Sequence, residues 1–228
     1  MKFGVITFPG STGSQDVIEV INSLTGVETT KIWHKDADLQ GCDFIVLPSG
    51  FAYFNDKNFV SMKQFSPIMH QVILHAAKGK FILGIGSGFQ LLTASELLPG
   101  VLTSNNSGNF ISKNVFIKPQ SKSSSFISRL DFNKAYRVPI ALRDGKYDTD
   151  ENTLKGLNDN DQVVFRYCDG QGEISQKSNP YGSVQNIAGI RNKANTIFGL
   201  IPQPERAAHY ELGLTDGKEI FESILQLV

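Results

Sequence analysis

The sequence is poor in cysteine, has no excess charge of either sign and contains no long apolar run. Two cysteines are too few for a disulfide scaffold. Lys and Arg number 22, as do Asp and Glu, so no net positive charge favours binding to nucleic acid or an anionic membrane. No apolar stretch approaches the roughly 18 residues that cross a bilayer. The opening segment breaks at Pro9 and Gly10 before a signal-peptide core can form. These absences predict a cytoplasmic protein without a nucleic-acid or membrane partner.

Recognisable metal-binding and cofactor-binding patterns are also lacking. The four histidines have no ligand spacing with acidic or cysteine partners, although His70 and His75 could share a helix. No histidine neighbours Cys42 or Cys168 in the sequence, which favours packing thiols over nucleophiles. We expect neither a metal nor a cofactor.

What the sequence does contain is enough apolar residues for one buried domain over residues 1–228, with 40% hydrophobic residues. Short apolar runs alternate with helical stretches through the first half, which predicts an α/β fold with an open, mostly parallel sheet and helices on both faces. Later strands are expected to extend the sheet in mixed or antiparallel fashion. The predicted strands are 2–8, 29–33, 43–47, 81–85, 110–118, 136–141, 162–167, 187–191 and 196–200, and the predicted helices are 16–24, 66–78, 89–97 and 216–227.

The segment Leu83-Gly84-Ile85-Gly86-Ser87-Gly88-Phe89-Gln90 has the build of a nucleophile elbow. Gly86 stands where the nucleophile belongs. Ser87 is a poor substitute, because one position along the turn swings the side chain by about 100°. The pattern G-x-S-x-G also fails, since Ile85 and Phe89 occupy its outer glycine positions. The loop Pro48-Ser49-Gly50, after a buried strand, is a candidate oxyanion cradle.

Motifs spread over the whole chain resemble the glutaminase subunit of phosphoribosylformylglycinamidine synthase, a class I glutamine amidotransferase of purine biosynthesis. They are FPGS at 8–11, WH at 33–34, LP at 47–48, GF at 50–51, GFQ at 88–90, LLPG at 97–100, VFRY at 164–167, NIAGI at 186–190 and PERA at 204–207. The resemblance implies the flavodoxin-like fold of that family, with the site at the carboxyl ends of the strands.

The resemblance assigns the nucleophile to the position of Gly86, the base to that of Gln203 and the orienting acid to Glu205. The family has cysteine and histidine at the first two positions, so only Glu205 keeps its family residue. Gly50 and Ser87 fall at the oxyanion and substrate pocket. Glutamine hydrolysis needs a thiolate, a base that protonates the leaving amine, and amides that hold the oxyanion. Loss of two of these groups predicts an inactive glutaminase, and we expect Glu205 to pair with Arg206 instead.

Further departures from the family occur in three places. Ser49 replaces the first residue of a glycine pair, and 52–58 lacks the expected Gly-Asp and arginine pattern, which predicts altered glutamine recognition. Residues 142–145 replace a His-Gly-Glu-Gly segment in the region that meets the synthetase, which predicts altered coupling. Changes at four separate places favour natural divergence over a single engineered knockout.

Two functions are compatible with this pattern. In the first, the chain is a non-catalytic docking or regulatory subunit of the synthetase, a pseudoenzyme within a ligase complex. In the second, the former glutamine pocket around Gly50, Gly86 and Gln203 binds another small ligand or partner. Ammonia release from glutamine that Ser87→Ala abolishes would instead indicate a surviving enzyme.

Overall fold

A computed structural model describes residues 1–50 and 66–226. Its strands are β1 Phe3–Thr7, β2 Thr30–Trp33, β3 Phe44–Leu47, β4 Phe81–Ile85, β5 Val101–Thr103, β6 Ile111–Pro119, β7 Tyr136–Leu142, β8 Lys146–Asp148, β9 Val163–Cys168, β10 Ile187–Arg191 and β11 Ile197–Leu200. Its α-helices are α1 Ser14–Thr25, α2 Pro67–Ala77, α3 Ser87–Ala94, α4 Glu151–Asp159 and α5 Asp216–Leu225. Neither described range contains a helix that is long and apolar enough to span a bilayer.

Nine of the strands form one sheet, in the order β2-β1-β3-β4-β11-β10-β9-β6-β7. The pairings from β2 to β11 are parallel, and those from β11 to β7 are antiparallel. β5 and β8 pair separately as a two-stranded ribbon. The α/β class is confirmed, with parallel strands on the side that carries the elbow and the expected antiparallel extension beyond them.

The sheet reverses its winding direction at β1. β2 lies on one side of β1, whereas β3 and β4 follow on the other. Right-handed crossovers therefore place α1 and α2 on opposite faces. Ligands of open α/β sheets bind at the carboxyl ends of the strands near such a reversal. The loops after β1, β3 and β4 are thus in the position where a site is expected.

Residue choices at the helix ends explain where several helices begin and end. α1 stops at Gly26, whose φ of 67° lies in the left-handed region. α2 begins at Pro67, and Gly79, with a φ of 69°, follows its last turn. α4 was not predicted because its sequence is largely polar, yet the Asp150 side chain caps it by accepting a hydrogen bond from the Thr153 amide at 3.0 Å.

Candidate functional site

Three loops meet at the carboxyl ends of β1, β3 and β4. The Gly13 amide, just before α1, donates a hydrogen bond to the Ser49 carbonyl at 3.0 Å. Ser11 and Gly50 form an isolated antiparallel bridge. The Gly86 amide donates to the Leu200 carbonyl at 2.7 Å, which ties the elbow to β11. These backbone bonds bring the loops after β1 and β3 and the elbow after β4 into one site.

The elbow is a sharp turn between β4 and α3, centred on Gly86. Gly86 has a φ of 57° and a ψ of −113°, a conformation that L side chains rarely adopt. A Cβ on the nearby Gly88 would lie 1.9 Å from the Leu47 carbonyl oxygen, so α3 can pack on β3 only with glycine there. The strand-turn-helix that the glycine spacing predicts is present.

The space beside Gly86 is filled by Ser49. A Cβ built on Gly86 would lie 2.7 Å from the Ser49 Oγ, 3.1 Å from the Ser49 Cβ and 3.5 Å from the Gln203 Nε2. The first of these distances is shorter than real Cβ contacts allow, so a side chain at position 86 would require Ser49 to move. Ser49 is therefore part of the site, and its place in the expected glycine pair is the only sequence signal that points to it.

Gln203 is fixed by three contacts at the end of β11. Its Nε2 donates to the Ser49 Oγ at 2.8 Å and lies 3.4 Å from the Ala141 carbonyl oxygen. Its backbone amide donates to the Pro139 carbonyl at 2.9 Å. Both Ser49 and Gln203 are buried. The side chain at the expected base position thus bonds to the residue that fills the expected nucleophile's space.

Gly50 and Ser87, the expected oxyanion pocket, are bonded to each other. The Gly50 amide donates to the Ser87 Oγ at 2.8 Å, and both residues are buried. The loop 48–50 was expected to offer free amides. That expectation is wrong for Gly50, because the Ser87 hydroxyl already satisfies its N–H group.

Glu205 lies in the 3₁₀ turn Pro204–Ala207 and is fully buried. Neither carboxyl oxygen has a hydrogen-bond partner among the described residues. Burial raises the pKa of this carboxyl to about 8. The expected ion pair with Arg206 is wrong: the Arg206 Nε lies 3.3 Å from the Asp16 Oδ2, and its Nη2 donates to the Thr12 Oγ1 at 3.2 Å.

The cysteines and the two buried histidines lie outside this constellation. Cys42 and Cys168 are both free and buried, and burial raises the pKa of each thiol, that of Cys168 to about 11. His34 Nδ1 pairs with the Ser66 Oγ at 2.9 Å, and His75 Nε2 lies 3.2 Å from the Asp43 carbonyl oxygen. Within residues 1–50 and 66–226 no three His, Cys, Asp or Glu side chains form a possible metal site.

Of two departures from the family pattern, the structure describes one, at 142–145, but not the other, at 52–58. Ala141, which contacts Gln203, lies near the end of β7 and immediately precedes the altered segment 142–145. This places the altered segment next to the expected base position. The segment 52–58, on which altered glutamine recognition was predicted, falls outside the described residues.

Comparison with known proteins first defines the class. Residues 1–213 match the family described as CobB/CobQ-like glutamine amidotransferase domain. The fold also matches a glutamine amidotransferase from Thermotoga maritima, with a TM-score of 0.64, 16% identity, and coverage of 100% of this chain and 98% of that one. The elbow and its neighbours therefore lie in a glutamine amidotransferase scaffold.

More specific likenesses place the chain within that class. It is 42% identical over 225 residues to the phosphoribosylformylglycinamidine synthase subunit PurQ of Koribacter versatilis, covering 99% of this chain and 97% of that protein. The PurQ subunit of Synechocystis sp. is 43% identical over 222 residues, covering 97% and 99% respectively. A chain of the PurLQS structure from Thermotoga maritima matches with a TM-score of 0.82 and 31% identity, covering 100% of this chain and 99% of that one. The chain belongs to the PurQ family of phosphoribosylformylglycinamidine synthase subunits, as the sequence motifs predicted.

Proposed function

We propose that this chain is a PurQ-type subunit of phosphoribosylformylglycinamidine synthase, in purine biosynthesis, that has no glutaminase activity of its own. In this role it docks on the synthetase and stabilises or regulates it, while ammonia comes from solution or from another glutaminase. Its identity of about 42% with PurQ subunits over nearly the full length supports the pathway and the partner. The side chains around the elbow support the lack of glutaminase activity.

The elbow of this chain lacks the nucleophile that glutamine hydrolysis requires. A thiolate must attack the side-chain amide carbon, and Gly86 has no side chain with which to form a thioester. A base must take the thiol proton and then return it to the leaving amine, and the Gln203 amide does not exchange protons near neutral pH. In a Ser-His-Asp triad, removal of the catalytic residues lowers the rate on the order of 10⁶-fold.

The observation that carries the proposal is the contact of Ser49 with both positions. Its hydroxyl lies 2.7 Å from the point that a Cβ on Gly86 would occupy, and it accepts a hydrogen bond from Gln203 at 2.8 Å. The space of the missing thiol is thus filled by a bonded, buried side chain. The loss therefore involves three residues that fit one another, so restoring the nucleophile alone would leave the site obstructed.

Ser87 is better placed to support the backbone than to act as a nucleophile. Its hydroxyl oxygen accepts a hydrogen bond from the Gly50 amide, and the residue is only 1% exposed. The same bond withdraws one amide from any oxyanion that would form here. We therefore assign Ser87 a structural role.

The docking role is supported by likeness to an assembled relative. The Thermotoga maritima chain that matches with a TM-score of 0.82 belongs to a structure of PurLQS, and this chain covers 99% of it. The departures at 142–145 lie in the region where the family resemblance places the synthetase contact. The proposal therefore allows for binding with altered coupling.

Reconstitution with the synthetase components from the same organism tests both parts of the proposal. We expect a complex that survives size-exclusion chromatography and forms the amidine product with ammonium chloride but not with glutamine. The matched control replaces this chain with an active PurQ subunit, which should support both nitrogen sources. Product formation from glutamine, abolished by Ser87→Ala, would overturn the inactivity, and failure to form a complex would overturn the docking role.

A further inference from the structure

A cavity of about 550 Å³ lies beyond the beginnings of β6 and β10, in the antiparallel half of the sheet. Both strands begin at the edge where β4 and β11 end, because each pairing from β11 to β6 is antiparallel. One wall of the cavity is the segment 105–107, and the other is the segment 176–186. Neither wall contains Ser49, Gly86 or Gln203, so the cavity is separate from the elbow site.

The lining of the cavity is polar but uncharged. No charged side chain of the described residues lines it. A phosphate or carboxylate ligand would need a cation in the lining, and an ammonium ligand would need an anion. Six of the lining side chains are carboxamides: Asn105, Asn106, Gln176, Asn179, Gln185 and Asn186. This composition favours an uncharged ligand that both donates and accepts hydrogen bonds.

A buried asparagine holds each wall of the cavity in place. The Nδ2 of Asn105 donates to the Asn109 carbonyl at 2.7 Å and to the Arg143 carbonyl at 2.9 Å. On the other wall, the Nδ2 of Asn186 donates to the Ser175 carbonyl at 2.6 Å. Both asparagines are buried. The shape of the cavity is therefore fixed by bonds within the chain.

The second wall contains two adjacent residues in a strained backbone conformation. Gln185 has a φ of 46° and Asn186 a φ of 58°, in the left-handed region that residues other than glycine rarely adopt. The Arg166 guanidinium holds Gln185 by donating to its backbone carbonyl and, at 3.3 Å, to its Oε1. Strain of this kind persists where surrounding bonds enforce it, and it clusters at ligand sites. The second wall is thus built as a binding surface would be.

Asn106 and Gln176 contribute free amide groups from opposite walls. Neither side chain makes a hydrogen bond to a described residue. The Nδ2 of Asn106 lies 3.1 Å from the point that a Cβ on Gly182 would occupy, so this amide faces the second wall. One ligand in the cavity can therefore contact donors and acceptors on both sides.

We propose that this cavity binds the adenine base of a nucleoside. The amide of asparagine or glutamine presents a donor and an acceptor side by side, which pair with N7 and N6 of adenine. Arginine and lysine recognise guanine, and carboxylates recognise cytosine, so an amide lining without charge selects adenine among the bases. Asn106 and Gln176 hold the base. A lining without a cation favours the nucleoside over its phosphates.

Isothermal titration calorimetry of the full chain with adenosine tests the proposal. We expect one binding site. Inosine, which has an oxygen in place of the 6-amino donor, should bind at least about tenfold more weakly. Adenosine monophosphate should bind no more tightly than adenosine, because no described cation lines the cavity to meet its phosphate.

Two single substitutions locate the site. Asn106→Ala and Gln176→Ala each remove a free amide, and each should weaken adenosine about tenfold. Both residues are exposed and unbonded, so both variants should fold and melt like the wild type. Gln171→Ala is the matched control, because Gln171 is an exposed carboxamide outside the lining, and it should leave the affinity unchanged.

Four results would overturn the proposal. They are absence of adenosine binding at millimolar concentration, equal affinity for adenosine and inosine, tighter binding of the monophosphate, and an affinity that neither Asn106→Ala nor Gln176→Ala lowers. None of these readouts depends on glutaminase activity or on the synthetase, so the proposed function stands or falls separately.

Discussion

The Nε2 of Gln203 lies 2.8 Å from the Oγ of Ser49, across 154 positions of sequence. The bond joins the loop after β3 to the turn after β11, over the elbow between β4 and α3. It also places the Ser49 hydroxyl 2.7 Å from the position of a Cβ on Gly86. The three residues therefore form one packed unit, and their substitutions should have coupled effects.

Stability measurements can detect this coupling at the elbow. Gly86→Cys should lower the free energy of unfolding by about 1–3 kcal/mol, because it puts a side chain at a φ of 57° and against Ser49. In the background of Ser49→Gly the same substitution should cost less, since the steric part is removed. Denaturant unfolding of the four proteins in this double-mutant cycle measures the difference.

If Gly86→Cys and Ser49→Gly change the free energy of unfolding additively, residues 49 and 86 do not act as one packed unit. A melting temperature that Gly86→Cys leaves unchanged or raises would count against the assignment of Gly86 to the elbow.

Glutaminase activity should return only when all three positions change. Gly86→Cys alone leaves Ser49 in the way and no base at position 203. Ser49→Gly, Gly86→Cys and Gln203→His together should hydrolyse glutamine at least about 10²-fold faster than the single variant, which is the lower range for a positioned base. Glutamate formation in a coupled assay measures both rates.

The matched control for that experiment has alanine at position 86 in the same triple background, which fills the site without a nucleophile. It should show only the background rate. Equal rates for the single and triple variants would mean that Ser49 and Gln203 do not obstruct the chemistry.

Ser87 should prove to be structural. Ser87→Ala leaves the buried Gly50 amide without its acceptor, so we expect a loss of about 1–3 kcal/mol in the free energy of unfolding. Ammonia release from glutamine should stay at the buffer background in both proteins. Activity in the wild type that disappears in the variant would make Ser87 a nucleophile.

Because the Glu205 carboxyl is buried, we expect the free energy of unfolding to depend on pH. The pKa of Glu205 rises from 4.5 to about 8 on folding, so the native state binds one more proton than the unfolded chain between these values. Its contribution to stability is complete below about pH 4.5 and is lost as pH rises to about 8, with a slope of up to about 1.4 kcal/mol per pH unit. Glu205→Gln should remove this slope.

Unfolding by denaturant at several pH values, on both proteins, tests the slope. The same slope in wild type and variant would show that Glu205 is ionised in the native state.

Much of the parallel half could be predicted from the sequence because its strands are continuous apolar runs. β4 was predicted at its observed bounds, and the glycines of the elbow predicted the turn that Gly86 makes. Local composition determines such features, so they can be predicted from a single sequence.

The parts that were missed depend on distant contacts or on weak local signals. β5 and β8 have three residues each, and α4 is mostly polar, with Leu154 and Leu157 as its only large apolar residues, so each gives a weak local signal. The bond between Ser49 and Gln203 could not be inferred, because it depends on β3 and β11 flanking β4 in the sheet. The prediction that Arg206 pairs with Glu205 was wrong for a similar reason, because the partner of Arg206, Asp16, lies 190 positions away.

The close fit of Gly88 against Leu47 has a consequence for how activity is inferred from shape. Because a Cβ there would lie 1.9 Å from a backbone oxygen of β3, the packing of helix on sheet requires this glycine whether or not the turn carries a nucleophile. The backbone of a working hydrolase and that of an inert relative can therefore superimpose. In this family, resemblance of fold identifies ancestry, and the residues at positions 49, 86 and 203 decide whether the descendant is still a catalyst.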